Sequence, residues 1–420
     1  MAGTVGQPSL LRAINLRATF DLISANGPVA AIQIVHGTGL SKPTVSEVLR
    51  QLLDVGLISK VGRTRGQVGP SAQLYAVDPS CGWVLAIDVG QQWMRVVAAD
   101  LSGKVVARAD ERARKRSARQ MIEQVGVLVS EVESNIGPGK RYLAVIGTPG
   151  VVRPGDSHLA LAPQLPGWER PEVLKELREQ LAVPVVFEND VNLAAIGELS
   201  KGAGRGVRDF VLISIGTGLG MAVVLNGSLH RGASGLAGEI GYLPIGRIEP
   251  AGRGHGVARW HEGAFERSVC SRAVMELAKE AGFGPVSSAA GVIDGARGGD
   301  PAACRVVDII AERLAHGVAA VAAVLDPELV LLGGGIGTGA GQLLIAPLRR
   351  TLESISPLRP RMAVSDLGSS AVLEGAVTEG LRLVMEQIFG VDGTLGLPSN
   401  GAASTTESTP DRAVAGERSG

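Results

Sequence analysis

Aromatic side chains are scarce in this 420-residue chain. Phe, Trp and Tyr together make up only 3% of it, too few for the stacking platforms that hold single-stranded nucleic acid. Neither sign of charge is in excess. With 41 Lys+Arg against 41 Asp+Glu, a globally basic nucleic-acid binder is excluded, and any such contact must come from a local patch. The three cysteines, Cys81, Cys270 and Cys304, are isolated. Without a Cys-x-x-Cys pair, neither a disulfide framework nor a thiolate zinc site is indicated, which fits a reducing compartment. The first dozen residues lack a charged-then-apolar signal pattern, and the longest apolar run, around 318–325, is too short to span a bilayer. These absences predict a soluble cytoplasmic protein with no membrane partner. Glycine, by contrast, is plentiful: 58 residues, about twice the usual ~7%, without the Gly-X-Y period of collagen. At 45% apolar and 20% charged the chain can bury a core, and its length suits two or three domains of about 100–200 residues.

Composition and periodicity divide the chain into residues 1–79, 80–392 and 393–420. The last stretch is rich in Ser, Thr, Gly, Ala and Pro with no apolar period, which predicts a disordered tail. In the first, Leu10, Leu11, Ile14, Ala18, Leu22 and Ile23 recur at helical spacing until Asn26-Gly27-Pro28 stops them. A short helix over about Ala30 to His36 and a tight turn at 37–39 follow. Ser41 is placed to cap a third helix, with Pro43 in its first turn and Gly56 at its left-handed end. Val45, Val48, Leu49, Leu52 and Leu53 share one face of that helix; Lys42, Thr44, Ser46, Glu47, Arg50 and Gln51 are assigned to the other. Two apolar pieces, 57–61 and 74–77, flank Gly62-Arg63-Thr64-Arg65-Gly66.

That pattern predicts a winged helix-turn-helix. Its third helix is shaped for the major groove, through Ser41, Lys42, Thr44, Ser46 and Arg50. Arg63 and Arg65, on a glycine-rich tip, can reach phosphates or the minor groove. Residues 41–75 hold five Lys/Arg and two Asp/Glu, a basic patch that zero net charge conceals. The alternative is a small helical protein-interaction domain.

Residues 83–392 read as two related α/β halves. The apolar strand 83–89 ends in Asp88-Val89-Gly90, and a second strand, 95–100, and the turn Leu101-Ser102-Gly103-Lys104 follow. The order recurs at 210–215, which ends in Gly216-Thr217-Gly218-Leu219-Gly220, then 221–225 and the turn Asn226-Gly227-Ser228. A helix over about 306–325 feeds the strand 329–332 and Gly333-Gly334-Gly335. A duplicated lobe pair with a cleft between is the actin-like, sugar-kinase architecture. Glycine turns facing that cleft let backbone N–H groups approach phosphate oxygens, so Gly216, Thr217 and Gly218 form a candidate nucleotide loop.

Glu188-Asn189-Asp190-Val191-Asn192 follows an apolar strand, expected over 183–187. An acid and an amide there can hold vicinal hydroxyls, and Asp190 can take a proton from a hydroxyl attacking a phosphate. The same residue types also cap helices. Glu239, in the loop 235–242, is either a ligand contact or a solvated acid, and Glu262 is a third carboxylate candidate. Gly147-Thr148-Pro149-Gly150 is either a backbone approach to a ligand or a plain turn.

From about Leu10 to Phe389 the chain resembles the ROK family of bacterial repressors and sugar kinases, most of all the repressor branch with its N-terminal winged helix. The residues that carry this are Gly39-Leu40-Ser41-Lys42-Pro43-Thr44-Val45-Ser46, the 188–192 and 216–220 motifs, the run from Arg231-Gly232-Ala233 to Gly238-Glu239-Ile240-Gly241, and the glycines 333–335. The resemblance implies a sugar or amino-sugar ligand contacted by Gly150, Asn189, Asp190, Glu239, Tyr242 and Glu262. It also shows departures. Family kinases have Asp-x-Gly-Gly-Thr-Lys at the first phosphate loop, where this chain has Asp88-Val89-Gly90-Gln91-Gln92-Trp93. The family's structural zinc takes a His where Tyr242 stands and a cysteine run where this chain has only His255 and His261. No zinc and no other cofactor is therefore expected. The family's sugar-contacting Asn is Gln164 here. The expectation is a sugar-responsive repressor of carbohydrate uptake or metabolism genes, binding double-stranded operator DNA as a dimer or tetramer and having no enzymatic activity. The alternatives are an ATP-dependent hexose or amino-sugar kinase and a scaffold with a dead cleft.

Overall fold

A computed structural model describes residues 8–64, 71–114, 117–137, 139–152, 159–160, 165, 167–170, 172–245, 263–285 and 287–390. Arg65, Gln164, Glu262 and the 393–420 tail lie outside the described residues.

In α1 (Pro8–Asn26), Leu16, Phe20 and Ile23 are spaced by four and three and so form one buried stripe. A two-residue strand, β1 (Val29–Ala30), precedes α2 (Ala31–Thr38). Ala30, expected to open that helix, instead pairs with Leu74. Ser41 caps α3 (Lys42–Asp54), accepting the Thr44 N–H at 3.3 Å. The antiparallel hairpin of β2 (Ile58–Arg63) and β3 (Gln73–Val77) takes β1 on its free side, giving the order β1-β3-β2. Gln51 corrects the helical assignment. It is 8% exposed, accepts from Arg12 Nε at 2.8 Å and donates to Glu47 Oε1 at 2.6 Å, tying α3 to α1. Three residues after Val48, it falls only about 60° around the helix from that buried side chain.

The first lobe comprises β4 (Trp83–Val89), β5 (Trp93–Asp100), β6 (Val105–Arg112), α4 (Ala118–Ser134), β7 (Arg141–Thr148), the small pair β8 (Val151–Val152) and β9 (Leu159–Ala160), α5 (Glu172–Leu181), β10 (Val185–Asn189) and α6 (Asp190–Lys201). Its main sheet runs β10-β7-β4-β5-β6. Every residue of β4 is buried because both faces are covered. Leu85, Ile87 and Val89 pack with residues of α4 and α5, and Val84 and Ala86 face the opposite core. The strand expected at 183–187 instead spans Val185–Asn189, so Glu188 and Asn189 are strand residues, paired with Gly147 and Thr148.

The second lobe holds β11 (Phe210–Ile215), β12 (Leu219–Leu225), β13 (Ser228–Leu229), α7 (Ala264–Val269), α8 (Ser271–Glu280), α9 (Ala289–Arg297), α10 (Pro301–Leu325), β14 (Leu329–Gly333), α11 (Gly334–Ala340), α12 (Gln342–Ile355), β15 (Arg361–Val364) and α13 (Ala371–Ile388). Its sheet, read as β15-β14-β11-β12-β13, repeats the first: an antiparallel meander flanked by two parallel strands. The duplication read from the glycine turns is thus a duplication of topology. No described helix is long and apolar enough to cross a membrane.

The helix after each lobe's last strand crosses to the other lobe. α6 packs on β11 and β12, α13 packs on β4 and β7, and the two helices press together. A Cβ on Gly375 would stand 1.7 Å from the Leu193 carbonyl oxygen, and one on Gly197 would stand 2.4 Å from that of Ala371, so only glycine permits this approach. Glu198, near the far end of α6, is fully buried and accepts from Ser365 Oγ at 2.5 Å and the Leu367 N–H at 3.0 Å. The N-terminal unit shares a core with this crossing. Phe20 of α1 lies 5.7 Å, ring to ring, from Phe389 just past α13, and one apolar cluster joins Leu16, Ile23 and Leu52 to Val84, Val384 and Ile388.

Candidate functional site

The parallel β7–β10 pairing brings two strand ends together at the cleft. Asn189 Oδ1 accepts the N–H groups of Val191 and Asn192 at 2.9 and 3.2 Å, and its amide donates to the Gly150 carbonyl at 3.1 Å. Asn189 is therefore the N-cap of α6 and fixes the 150 turn beside it. Asp190 opens the helix. Its carboxylate accepts the Val191 N–H at 2.9 Å, and the residue is half-buried. Burial, then the negative charge of Asp88, raise its pKa from the usual 3.8 to about 6. Glu239 adds to that rise from the other lobe, and burial raises its own pKa too.

Asn189 and Glu239 line one interlobe cavity with Val151, Asn192, Gly220 and Met221. About 30 Å³ of it is open to a water-sized molecule. Tyr242 is 39% exposed, and its hydroxyl pKa is raised by burial and by the charge of Glu239. Of the expected site residues, Asn189 and Glu239 line this cavity, Gly150 is hydrogen-bonded to Asn189, and Asp190 and Tyr242 lie close enough to Glu239 for its charge to raise their pKa values. Glu262 lies outside the described residues.

The first glycine turn is a tight hairpin, closed by Gly90 N–H to Trp93 O at 3.0 Å. Asp88, 5% exposed, accepts from Arg95 Nη1 at 2.8 Å. The Trp93 ring lies 5.9 Å from the Arg95 guanidinium and 5.1 Å from that of Arg112. Across the cleft, Gly216 donates to Gly218 O at 2.9 Å and accepts from Ser271 N and Oγ at 2.8 and 2.7 Å, leaving Thr217 exposed. A Cβ on Gly216 would lie 3.8 Å from Gly335 N, so the two glycine runs sit side by side at the carboxyl ends of β11 and β14. Open α/β sheets bind ligands at such ends.

Sequence reasoning gave no role to Glu188 and Arg231, though both stand inside its motifs. Glu188 Oε1 accepts from Asn192 Nδ2 at 2.9 Å, and Arg231 Nε meets Glu188 Oε2 at 2.7 Å from the other lobe. Arg95 and Glu379 were missed because no local pattern marks them.

In the N-terminal unit Lys42, Ser46 and Arg63 are exposed and Thr44 is half-buried. The Ser41 hydroxyl is engaged in the cap and lies 2.8 Å from Thr44 Oγ1. Arg50 is held along its own helix by Glu47 and Asp54, at 2.7 and 3.1 Å. Arg65 lies outside the described residues.

The described residues hold no group of three or more His, Cys, Asp or Glu placed for a metal. Residues 252–262, where the resemblance puts the zinc-binding cysteines, contain no cysteine and lie outside the described residues, and Tyr242 stands where the family has its zinc His. Two imidazoles without thiolates do not supply the donor set of a structural Cys-containing zinc site.

The ROK family model matches residues 84–381. A glucokinase from Halalkalibacterium halodurans is 29% identical over 315 residues, covering 70% of this chain and 93% of that protein. A xylose repressor from Caldicellulosiruptor bescii is 24% identical over 390 residues, covering 89% of this chain and 96% of that one. A solved structure described as a ROK family transcriptional regulator, homologue of the Escherichia coli MLC protein, superposes with a TM-score of 0.69 at 21% identity over 92% of this chain and 98% of that one. With more than half its length matched by the family model, the chain belongs to the ROK family.

Proposed function

We propose that the protein is a sugar-responsive transcriptional regulator, acting as a repressor of genes for carbohydrate uptake or metabolism. The observation that carries this reading is the core shared by the N-terminal unit and α13, which ties a DNA-binding shape to the helix pair bearing Asp190. In this reading the N-terminal unit is a winged helix-turn-helix, with α3 in the major groove and the β2–β3 tip on the backbone. A homodimer would set two such helices on half-sites about one helical turn apart. The repressor relative, matched over nearly its whole length, supports it.

A sugar or amino sugar would lie between Asn189–Asp190 and Glu239, carboxylates and an amide suited to hydroxyls. In this reading, sugar binding shifts the two lobes relative to each other across the cavity that Asn189 and Glu239 line. Couplings of about 1–3 kcal/mol between such a site and DNA change affinity about 5–150-fold. The test is affinity for the DNA upstream of the protein's own gene, with and without D-xylose, D-glucose and N-acetylglucosamine. Tight, salt-sensitive binding changed by one of them supports the reading; binding that none changes removes the sugar from it.

The second reading is an ATP-dependent sugar kinase. Asp190, with a pKa near 6, is poised as a general base, and the 216–218 loop lies beside Gly335. Against it, Gln91, Gln92 and Trp93 replace the phosphate-loop residues, and Arg95 already engages Asp88. A coupled assay with ATP, magnesium and the same sugars decides; turnover lost in Asp190→Ala would establish the kinase.

A further inference from the structure

We propose that Arg231 is the positioning residue that passes the state of the cleft to α13 and so to the N-terminal unit. The proposal rests on the reading of the cleft as a sugar site and of that unit as the DNA-binding part.

Arg231 follows β13 in the second lobe, at the root of the loop that carries Glu239. The Ala237 N–H donates back to the Arg231 carbonyl at 3.1 Å, so that loop is closed onto it. Its side chain leaves the lobe. Nε meets Glu188 Oε2 at 2.7 Å, and Nη2 lies 3.5 Å from Glu379 Oε1 on α13. Both carboxylates are nearly buried, with side chains 11% and 9% exposed.

Each partner is fixed from behind. Glu188 takes the Asn189 N–H at 3.0 Å and Asn192 Nδ2 at 2.9 Å through its other oxygen, so it is rigid with the segment that presents Asp190. Glu379 takes Arg382 Nε and Nη2 at 2.7 and 2.9 Å. One guanidinium thus joins three bodies: the Glu239 loop, the Asp190 segment and α13. A planar fork can hold two carboxylates in fixed directions, which a lysine ammonium does less well.

The link spans the gap that a sugar between Asp190 and Glu239 would span. Parting the lobes draws Arg231 away from Glu188 and Glu379, and closing on a ligand restores both contacts. Without the cation, two nearly buried carboxylates lose their shared partner, and lobe motion no longer acts on α13 at Glu379. The last turn of α13 lies beside the Phe389–Phe20 contact, so what moves α13 moves α1.

The experiment measures, for the full chain, affinity for the upstream DNA with and without each of D-xylose, D-glucose and N-acetylglucosamine, and sugar binding by calorimetry. In Arg231→Ala, the sugar-free DNA affinity is expected to stay within threefold of the wild type. Sugar binding should persist, weakened up to tenfold. At saturating sugar, the factor by which sugar changes DNA affinity should fall at least threefold towards unity. Arg231→Lys should recover part of that factor, and Glu379→Gln, which leaves the Glu188 contact in place, should lower it. A wild-type factor in Arg231→Ala overturns the coupling role, and a wild-type factor in Glu379→Gln overturns the route through α13. A wild type whose DNA affinity no sugar changes removes the underlying reading, and the coupling role with it.

Discussion

Arg95 Nη1 lies 2.8 Å from Asp88 Oδ2, so a carboxylate at the first glycine turn is already paired with a cation from the adjacent strand. The two residues are opposite each other in the β4–β5 ladder, and Asp110 of β6 extends the row, 3.8 Å from Arg95 Nε. Arg95→Ala would leave Asp88 buried without its counter-charge, a class of change that costs about 3–5 kcal/mol. The expected urea midpoint falls accordingly. The double variant Asp88→Asn/Arg95→Ala, which removes both charges, should recover much of the loss. A single variant as stable as the wild type would show that the pair contributes nothing.

If a sugar binds at Asp190, stability and sugar affinity are expected to depend on pH in opposite directions. Its folded-state pKa is raised, so its contribution to stability is complete below about pH 3.8 and is lost as pH rises through about 6. The span of roughly two units corresponds to about 3 kcal/mol as an upper figure. Asp190→Asn has no such loss, so its unfolding midpoint should exceed that of the wild type at pH 8 and converge with it on acidification to pH 4. Sugar binding should behave the other way, weakening as pH falls below 6 because the protonated carboxyl loses an acceptor. Calorimetry at pH 5 and 7.5 checks this, and equal affinities at the two values would place the sugar elsewhere.

Arg63 stands exposed at the end of β2. As a phosphate contact, Arg63→Ala should weaken binding to all DNA sequences alike. It should also reduce the slope of log affinity against log salt by about 1. Binding isotherms between 50 and 200 mM salt measure both. An unchanged slope would take the wing off the contact surface.

Phe389 and Phe20 hold the N-terminal unit to α13. Truncating a buried phenylalanine typically costs about 3–5 kcal/mol. Phe389→Ala is expected to lose stability of that order in denaturant and to blunt the DNA response to sugar while leaving calorimetric sugar binding in place. If the response survives intact, the two units communicate by another route.

The helices of the N-terminal unit, the Ser41 cap and the repeated strand–glycine turn were legible because each is written within a few residues. Where helical phase alone decided, it failed at Gln51, whose place on α3 lies between the buried and the open face and whose partner, Arg12, is 39 residues away. β1 was invisible for the same reason. Two residues carry no period, and only β3, over 40 residues on, makes them a strand. At the cleft, Asn189 and Asp190 were legible together, but their division of labour was not. The backbone N–H groups engage the first as a cap, while burial and the charge of Asp88 shift the proton affinity of the second.

The sequence alone determined the duplicated α/β lobes, the three-helix start and the glycine turns. Local backbone preference and apolar periodicity act over short range and need no partner. Only the tertiary structure decided that α6 and α13 cross between lobes, that Arg95 pairs with Asp88, and that Arg231 reaches both Glu188 and Glu379. Those relationships join side chains from separate elements, and a charge finds its partner by where the packed helices and sheets leave it, not by its distance along the chain.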